Sequence, residues 1–232
     1  MLAAEARDYR GRVVRVVEAQ HRISTNRLAA DAADQQVLEA LADEVKPDLP
    51  EAARRLPWLL ASPFRYGLGR PSRFRAGDVL PGIFYASEDV ATAVAETAYW
   101  RLKGFSRSPG FLRPRTPTPI SAFSVRVAAG RAIDLTAPPF ADPPGRWTGE
   151  DYAPTQALAD AARRADVAAI RAPSARRAGG VNVALLDPAA LIPPPRPHSS
   201  WAFLATPGDG LIATREMSDE AHRFSAAGFG IV

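Results

Sequence analysis

Residues 90–100 read Val-Ala-Thr-Ala-Val-Ala-Glu-Thr-Ala-Tyr-Trp, which predicts a helix whose only charged side chain is Glu96. A carboxylate within so apolar a helix is costly to remove from water unless another group pairs with it. A chain therefore retains such a group for structural pairing or for chemistry. The helix follows a short predicted strand, residues 83–86, and a basic run, residues 72–75. This order of arginine, tyrosine and glutamate is the first indication of a functional site.

The composition supports a folded core and excludes several kinds of chemistry. The chain has 232 residues, 47% of them hydrophobic, which suffices for one generous domain or two small ones. It contains no cysteine, so thiol nucleophiles, thiolate metal ligands and disulfides are excluded. It shows no basic-then-apolar leader and no apolar run of about 18 residues. We therefore expect no signal peptide, no membrane span and a cytoplasmic location.

The net charge of +4 comes almost entirely from arginine, since Lys46 and Lys103 are the only lysines. Arginine suits forked binding of phosphate and carboxylate, although a GC-rich genome also produces arginine-rich chains. No dense basic block occurs, so we expect that the protein does not bind nucleic acid directly.

Short strands, proline-rich loops and a few helices together predict an α+β fold. The predicted strands cover residues 13–17, 83–86, 120–127, 132–135, 167–170, 181–186, 201–204 and 211–214. The predicted helices cover residues 34–44, 90–100 and 152–165. Ser87 is expected to cap the second helix, with Glu88 and Asp89 in its first turn.

Several common catalytic motifs are absent from the sequence. It has no Gly-x-x-x-x-Gly-Lys phosphate loop and no Gly-x-Ser-x-Gly elbow, and Gly-Leu-Gly at residues 67–69 lacks the third glycine of a dinucleotide fingerprint. His21, His198 and His222 show no metal-ligand spacing, so we predict no metal site. The polar candidates that remain are Arg73, Tyr85, Glu96 and the turn at residues 173–176.

Five motifs occur in a specific order along the chain. They are Ser-Arg-Phe at 72–74, Gly-Ile-Phe-Tyr-Ala-Ser-Glu-Asp at 82–89, Ala-Val-Ala-Glu-Thr-Ala-Tyr at 93–99, Arg-Ala-Pro-Ser-Ala-Arg at 171–176 and Gly-Gly-Val-Asn-Val-Ala-Leu-Leu-Asp-Pro at 179–188. In this order and spacing they resemble the RES-domain family, the toxin half of a bacterial toxin–antitoxin pair. The Arg, Glu and Ser for which that family is named fall on Arg73, Glu96 and Ser174.

The resemblance implies a fold similar to ADP-ribosyltransferase toxins: a split β-sheet core with flanking helices in a single domain. It implies NAD as the substrate, held in a cleft between two small sheets. Known members destroy NAD by phosphorolysis or hydrolysis, or transfer its ADP-ribose to a protein. They are similar in being held inactive by a helix-turn-helix antitoxin of the Xre type, which would be the partner of this chain.

The resemblance also implies roles for four side chains in breaking the nicotinamide–ribose bond. That cleavage passes through an oxocarbenium-like state, which a nearby carboxylate stabilises as in glycoside hydrolysis. Glu96 would hold the ribose hydroxyls and stabilise the developing positive charge. Arg73 would bind the diphosphate or the adenosine ribose, and Tyr85 would stack on nicotinamide. Ser174 would position Glu96 or donate a hydrogen bond to the ribose.

Two further residues are candidates for binding NAD, and the residues alone leave other interpretations open. Arg15 on the first strand and Asn182 are the weaker candidates, since Asn182 could equally satisfy backbone groups. Without the family, Glu96 would be read as a solvated group or the partner of a structural arginine. Tyr85 would be a core residue and Ser174 a turn former.

The motifs define a RES catalytic core over residues 61–190. Residues 1–60 are expected to form an N-terminal strand and helical extension packed on the core. Residues 191–232 are expected to form a C-terminal extension with a β-hairpin. The chain has no internal repeat and no clean linker, so we predict one compact domain overall.

Two alternative functions stay open beside NAD cleavage by phosphate or water. One is a mono-ADP-ribosyltransferase that modifies a protein of nucleotide metabolism, and only the acceptor of ADP-ribose separates it from the first function. The other is a basic nucleic-acid or partner-binding module without catalysis. That module would need arginines interleaved with aromatic residues on one exposed face, and the arginines here are scattered.

Overall fold

The computed structural model describes residues 2–18, 33–34, 37, 41, 47–66, 69, 71–108, 110, 113–141 and 145–231. The predicted helix over residues 34–44 lies almost entirely outside the described residues. His21 also lies outside them. The remaining predicted strands and helices fall within the described part of the chain.

Four α-helices and eight strands are described. The helices are α1 (Leu2–Glu5), α2 (Trp58–Arg65), α3 (Val90–Ser106) and α4 (Ala153–Arg164). The strands are β1 (Arg7–Glu18), β2 (Phe84–Ser87), β3 (Thr118–Asp134), β4 (Ala169–Pro173), β5 (Val181–Leu185), β6 (Leu191–Thr206), β7 (Gly210–Arg215) and β8 (Ala221–Ser225). Within the described residues, no helix combines the length and the apolar character that crossing a membrane requires.

The eight strands form one sheet in the order β1-β2-β5-β4-β3-β6-β7-β8, and β1 also pairs with β3. Five strands therefore form a closed ring of pairings: β1, β2, β5, β4 and β3. The strands β6, β7 and β8 continue the sheet outward from β3. The pairing of β3 with β4 is parallel, and all the others are antiparallel. Four described helices and one mainly antiparallel sheet in a single domain confirm the predicted α+β class.

The long strand β3 differs from the sequence prediction, which divided it into residues 120–127 and 132–135. Residues between those two segments continue the pairing with β1, because Arg10 lies opposite Ala128 and Tyr9 opposite Ala129. The first part of β3 pairs with β6 and its last residues pair with β4. One strand thus joins the two parts of the sheet.

The N-cap of α3 is Asp89, so the expected cap at Ser87 is wrong. The Asp89 carboxylate accepts hydrogen bonds from the Thr92 backbone N–H at 2.8 Å and from its hydroxyl at 2.7 Å. Ser87 remains in β2, paired with Asn182, and its hydroxyl donates to the Asn182 side chain. The first turn of α3 itself carries no acidic residue.

The helix α3 packs on β1, β3 and the C-terminal strands. Buried side chains of α3 share one apolar cluster with β6 and β7: Ala93, Val94, Ala98, Leu102, Trp201, Phe203, Leu211 and Ala213. Full burial of a large apolar side chain contributes about 1.5–3 kcal/mol. This packing fixes the helix that carries Glu96 relative to the sheet.

Gly82 allows the chain to pass close to the end of α2 before it enters β2. Its N–H donates to the Phe64 carbonyl at 3.0 Å, and an added Cβ would lie 2.1 Å from the Pro63 carbonyl oxygen and 2.3 Å from that of Tyr66. We expect Gly82→Ala to lower the free energy of unfolding by about 2–4 kcal/mol in urea denaturation.

Gly104→Ala is the matched control for this substitution. Gly104 lies in α3, and apart from its chain neighbours and the adjacent helix backbone no described atom lies within 4 Å of an added Cβ. Removing a helical glycine there is expected to stabilise the protein by about 0.5–1 kcal/mol. Equal stability of Gly82→Ala and the wild type would contradict the close backbone approach.

Candidate active site

A cavity of about 360 Å³ opens between α3 and the β1, β2, β4 and β5 strands. It is lined by five of the six side chains that the sequence singled out: Arg15, Arg73, Tyr85, Glu96 and Asn182. The sixth, Ser174, lies behind the carboxylate and hydrogen-bonds to it. The structure thus brings all six together, from segments far apart in the chain, and their chemical roles stay predictions.

The Glu96 carboxylate is held by two neutral donors. Ser174 Oγ donates to Glu96 Oε1 at 2.7 Å, and Asn182 Nδ2 donates to the same oxygen at 2.6 Å. Among the described residues, no cation pairs with this carboxylate, and Oε2 accepts no hydrogen bond. Glu96 therefore does not serve as the partner of a described structural arginine, and one carboxylate oxygen remains for a ligand.

Ser174 acts both as a turn former and as a support for Glu96. It follows β4, is 8% exposed, and its Oγ accepts the backbone N–H groups of Arg176 at 3.1 Å and Arg177 at 3.2 Å. Because Ser174 Oγ already accepts two hydrogen bonds, its own proton points away from both donors. That proton goes to Glu96.

Tyr85 is fixed at its hydroxyl end by the segment that carries Arg73. Its phenol oxygen accepts the Phe74 N–H at 3.2 Å and lies 2.8 Å from Ser72 Oγ. Burial raises the pKa of Tyr85 above its ordinary value, so the phenol is neutral at physiological pH. With its hydroxyl anchored in this way, the Tyr85 side chain lines the cavity from β2.

Arg73 holds the rim of the cavity. Its Nη1 donates to the carbonyls of Trp147 at 3.0 Å and Gly149 at 2.8 Å, and its guanidinium lies 4.8 Å from the centre of the Tyr152 ring. Nε and Nη2 donate to no residue within the described ranges. Arg73 can therefore fix the rim and still bind an anion.

Arg15 brings a second positive charge into the cavity from β1. Its Nη1 donates to the Tyr85 carbonyl at 2.6 Å, and its guanidinium lies 5.1 Å from the centre of the Phe84 ring. Burial lowers the pKa of Arg15 to about 10, which leaves the group positively charged at neutral pH.

Arg176 adds a third positive charge; the sequence prediction included it in the candidate turn at residues 173–176 but gave it no role. Its side chain is 7% exposed and lines the cavity, and Nη2 donates to Glu150 Oε1 at 2.8 Å. Its guanidinium stacks on Tyr99, 3.4 Å from the ring centre. The residue closes the Arg-Ala-Pro-Ser-Ala-Arg motif, so the motif itself was a usable signal.

Among the other lining residues, Ser87, Trp100 and Tyr152 were given no role in the site by the sequence prediction. Ser87 stands within the 82–89 motif. Trp100 follows Glu96 by four positions, so Glu96 and Trp100 lie on the same face of α3. Tyr152 gave no signal, because it reaches the cavity from a distant loop. The part of the chain that the structure describes holds no cluster of three or more His, Cys, Asp or Glu side chains suited to a metal ion.

The fold and cavity define a single-domain α+β protein with one carboxylate presented among arginines. The family model of the RES domain matches residues 48–206, and this chain belongs to the RES-domain family, as its motifs predicted. Among solved structures, it is similar to a chain of the M. tuberculosis MbcT-MbcA toxin–antitoxin complex, with 14% sequence identity and a TM-score of 0.49. That match covers 88% of this chain and 92% of the other. No curated protein matches the sequence.

Proposed function

We propose that this protein is the NAD-consuming toxin of a toxin–antitoxin pair and that it cleaves the bond between nicotinamide and ribose. The observation that carries the proposal is the Glu96 carboxylate, held through one oxygen by two neutral donors at the wall of a cavity. Membership of the RES-domain family supports the same activity.

Glu96 would act on the ribose next to nicotinamide. The bond from the anomeric carbon to the ring nitrogen breaks with its electrons going to the ring, so nicotinamide leaves as a neutral molecule. The ribose then carries oxocarbenium character, as in glycoside hydrolysis, and a nearby carboxylate stabilises it electrostatically. Oε2 of Glu96 accepts no hydrogen bond from a described residue, so it is the oxygen that would accept one from a ribose hydroxyl.

The three arginines suit the rest of the substrate. NAD carries a diphosphate, and guanidinium groups bind phosphate oxygens through charge-assisted hydrogen bonds. Arg73 has two free donor positions within the described residues and stands at the rim, so we assign it to the diphosphate. Tyr85, neutral and anchored at its hydroxyl, would stack on nicotinamide.

The charge of the cavity favours phosphate over water as the acceptor. Glu150 pairs with Arg176, but Arg15 and Arg73 still outnumber Glu96, so the cavity attracts a second anion. A phosphate oxygen would form a bond to the anomeric carbon as nicotinamide departs, giving ADP-ribose 1″-phosphate. Hydrolysis and transfer to a protein of nucleotide metabolism use the same bond cleavage with another acceptor.

An enzyme that destroys NAD must be restrained in the cell that makes it. We therefore propose that the protein acts in the cytoplasm and is held inactive by an antitoxin of the Xre-type helix-turn-helix class. The family resemblance supports this partner. A gene for such a small protein is expected beside the gene for this one.

The test is NAD turnover by the purified protein with and without phosphate, following nicotinamide and the ADP-ribose product. We expect nicotinamide release that rises with phosphate and yields ADP-ribose 1″-phosphate. Release of free ADP-ribose at an unchanged rate would identify hydrolysis instead. No nicotinamide release in either condition, and none on addition of a protein acceptor, would contradict the proposed function.

A further inference from the structure

A buried serine stands behind the asparagine that contacts Glu96. Ser87, the last residue of β2, lies directly opposite Asn182 on β5. Its Oγ donates to Asn182 Oδ1 at 2.6 Å, and Asn182 Nδ2 donates to Glu96 Oε1 at 2.6 Å. Ser87 is 2% exposed. Three side chains from two strands and one helix thus form a continuous hydrogen-bonded row.

The chemistry of the three groups fixes the direction of this row. An ionised carboxylate only accepts hydrogen bonds, so the amide nitrogen of Asn182 must face Glu96. The amide oxygen then faces Ser87, whose hydroxyl must donate. A flipped amide would place an oxygen against the carboxylate and lose both hydrogen bonds.

We propose that Ser87 is a positioning residue that holds the Asn182 amide against Glu96, and that Asn182 positions the carboxylate rather than binding NAD. Asn182 already uses its oxygen and one amide proton within the protein, whereas Oε2 of Glu96 is left for the ligand. With Ser174 donating to the same Oε1, the row fixes the plane of the carboxylate. The catalytic consequence rests on the proposed NAD cleavage, but the geometry does not.

The geometry is tested by NMR of the side-chain amides, which needs no turnover. The chain has only two asparagines, Asn26 and Asn182, so selective ¹⁵N-asparagine labelling gives two side-chain ¹⁵N signals, each correlated with a pair of amide protons. The signal that disappears in Asn182→Asp belongs to Asn182. We expect Ser87→Ala to shift this signal and speed its exchange with water. Ser124→Ala, at an equally buried serine of β3, is expected to leave it unchanged.

The catalytic consequence is tested by kinetics on the same proteins. Ser87→Ala removes one hydrogen bond from the row, and we expect kcat to fall about tenfold with little change in KM. Asn182→Asp places a second carboxyl against Glu96. The pair can share one proton at low pH, which restores a donor, but loses it as the pH rises. Activity of this variant is therefore expected to fall towards high pH where the wild type keeps its activity.

The outcomes separate the two proposals. An unchanged Asn182 amide signal in Ser87→Ala overturns the positioning role, whatever the enzyme does. A shifted signal with unchanged kcat also overturns it, because the row would then be structural only. A wild type without nicotinamide release contradicts the proposed function, and the amide signal still decides whether Ser87 holds Asn182.

Discussion

Replacing Glu96 by Gln is expected to reduce the rate of nicotinamide release from NAD by about 10²–10³-fold. Gln keeps the size of the side chain and can still accept hydrogen bonds from Ser174 and Asn182 through its oxygen. It removes the negative charge that would stabilise the positively charged ribose. The measurement is initial velocity by chromatography of nicotinamide, at saturating NAD.

Glu216→Gln is the control for loss of a carboxylate elsewhere. Glu216 is exposed beyond the end of β7, far in the chain from the cavity segments. We expect its substitution to leave turnover unchanged. Equal rates for Glu96→Gln and the wild type would return Glu96 to a structural role and remove the central argument for NAD cleavage.

Replacing Phe84 by Ala is expected to lower the free energy of unfolding by about 3–5 kcal/mol. Phe84 is fully buried in β2, with its ring centre 6.4 Å from Phe64 and 6.5 Å from Phe123. The substitution leaves a cavity at the junction of α2 with the sheet. Urea denaturation at neutral pH measures the loss.

The same ring also supports Arg15, whose guanidinium lies 5.1 Å from its centre. Phe84→Leu retains most of the apolar volume and is expected to cost less than about 1.5 kcal/mol. If Phe84→Ala loses no more stability than Phe84→Leu, the neighbouring core residues fill the space of the missing ring without strain. That result would contradict the close packing of Phe84 against Phe64 and Phe123.

The sequence predicted those parts of the site that depend on local order along the chain. The apolar stretch at residues 90–100 predicted the helix of Glu96, which the structure extends to Val90–Ser106. The motif at residues 171–176 placed Ser174 just after a strand, where it is found. Such features follow from side-chain periodicity and turn chemistry, which act between near neighbours.

The sequence prediction was wrong or silent where contacts between distant segments decide. The serine at residue 87 has the chemistry of a helix cap, but its cross-strand partner Asn182 holds it in β2. The split of β3 into two strands was wrong because Ala128, Ala129 and Ala132 all pair with β1, and the strand continues through a register irregularity between them. Tyr152 lines the cavity beside Arg73, from a segment 79 residues further along the chain.

The sequence by itself therefore determined the family, the α+β class and the lone carboxylate of the apolar helix. The ordered motifs and the lone Glu96 are properties of the chain, independent of how it closes. Only the tertiary structure decided how that carboxylate is held and which arginines surround it. The two donors to Glu96 and two of the surrounding cations come from different strands and turns: Ser174, Asn182, Arg15 and Arg176. Their meeting depends on the register of the sheet and the packing of α3 upon it, which no local pattern encodes.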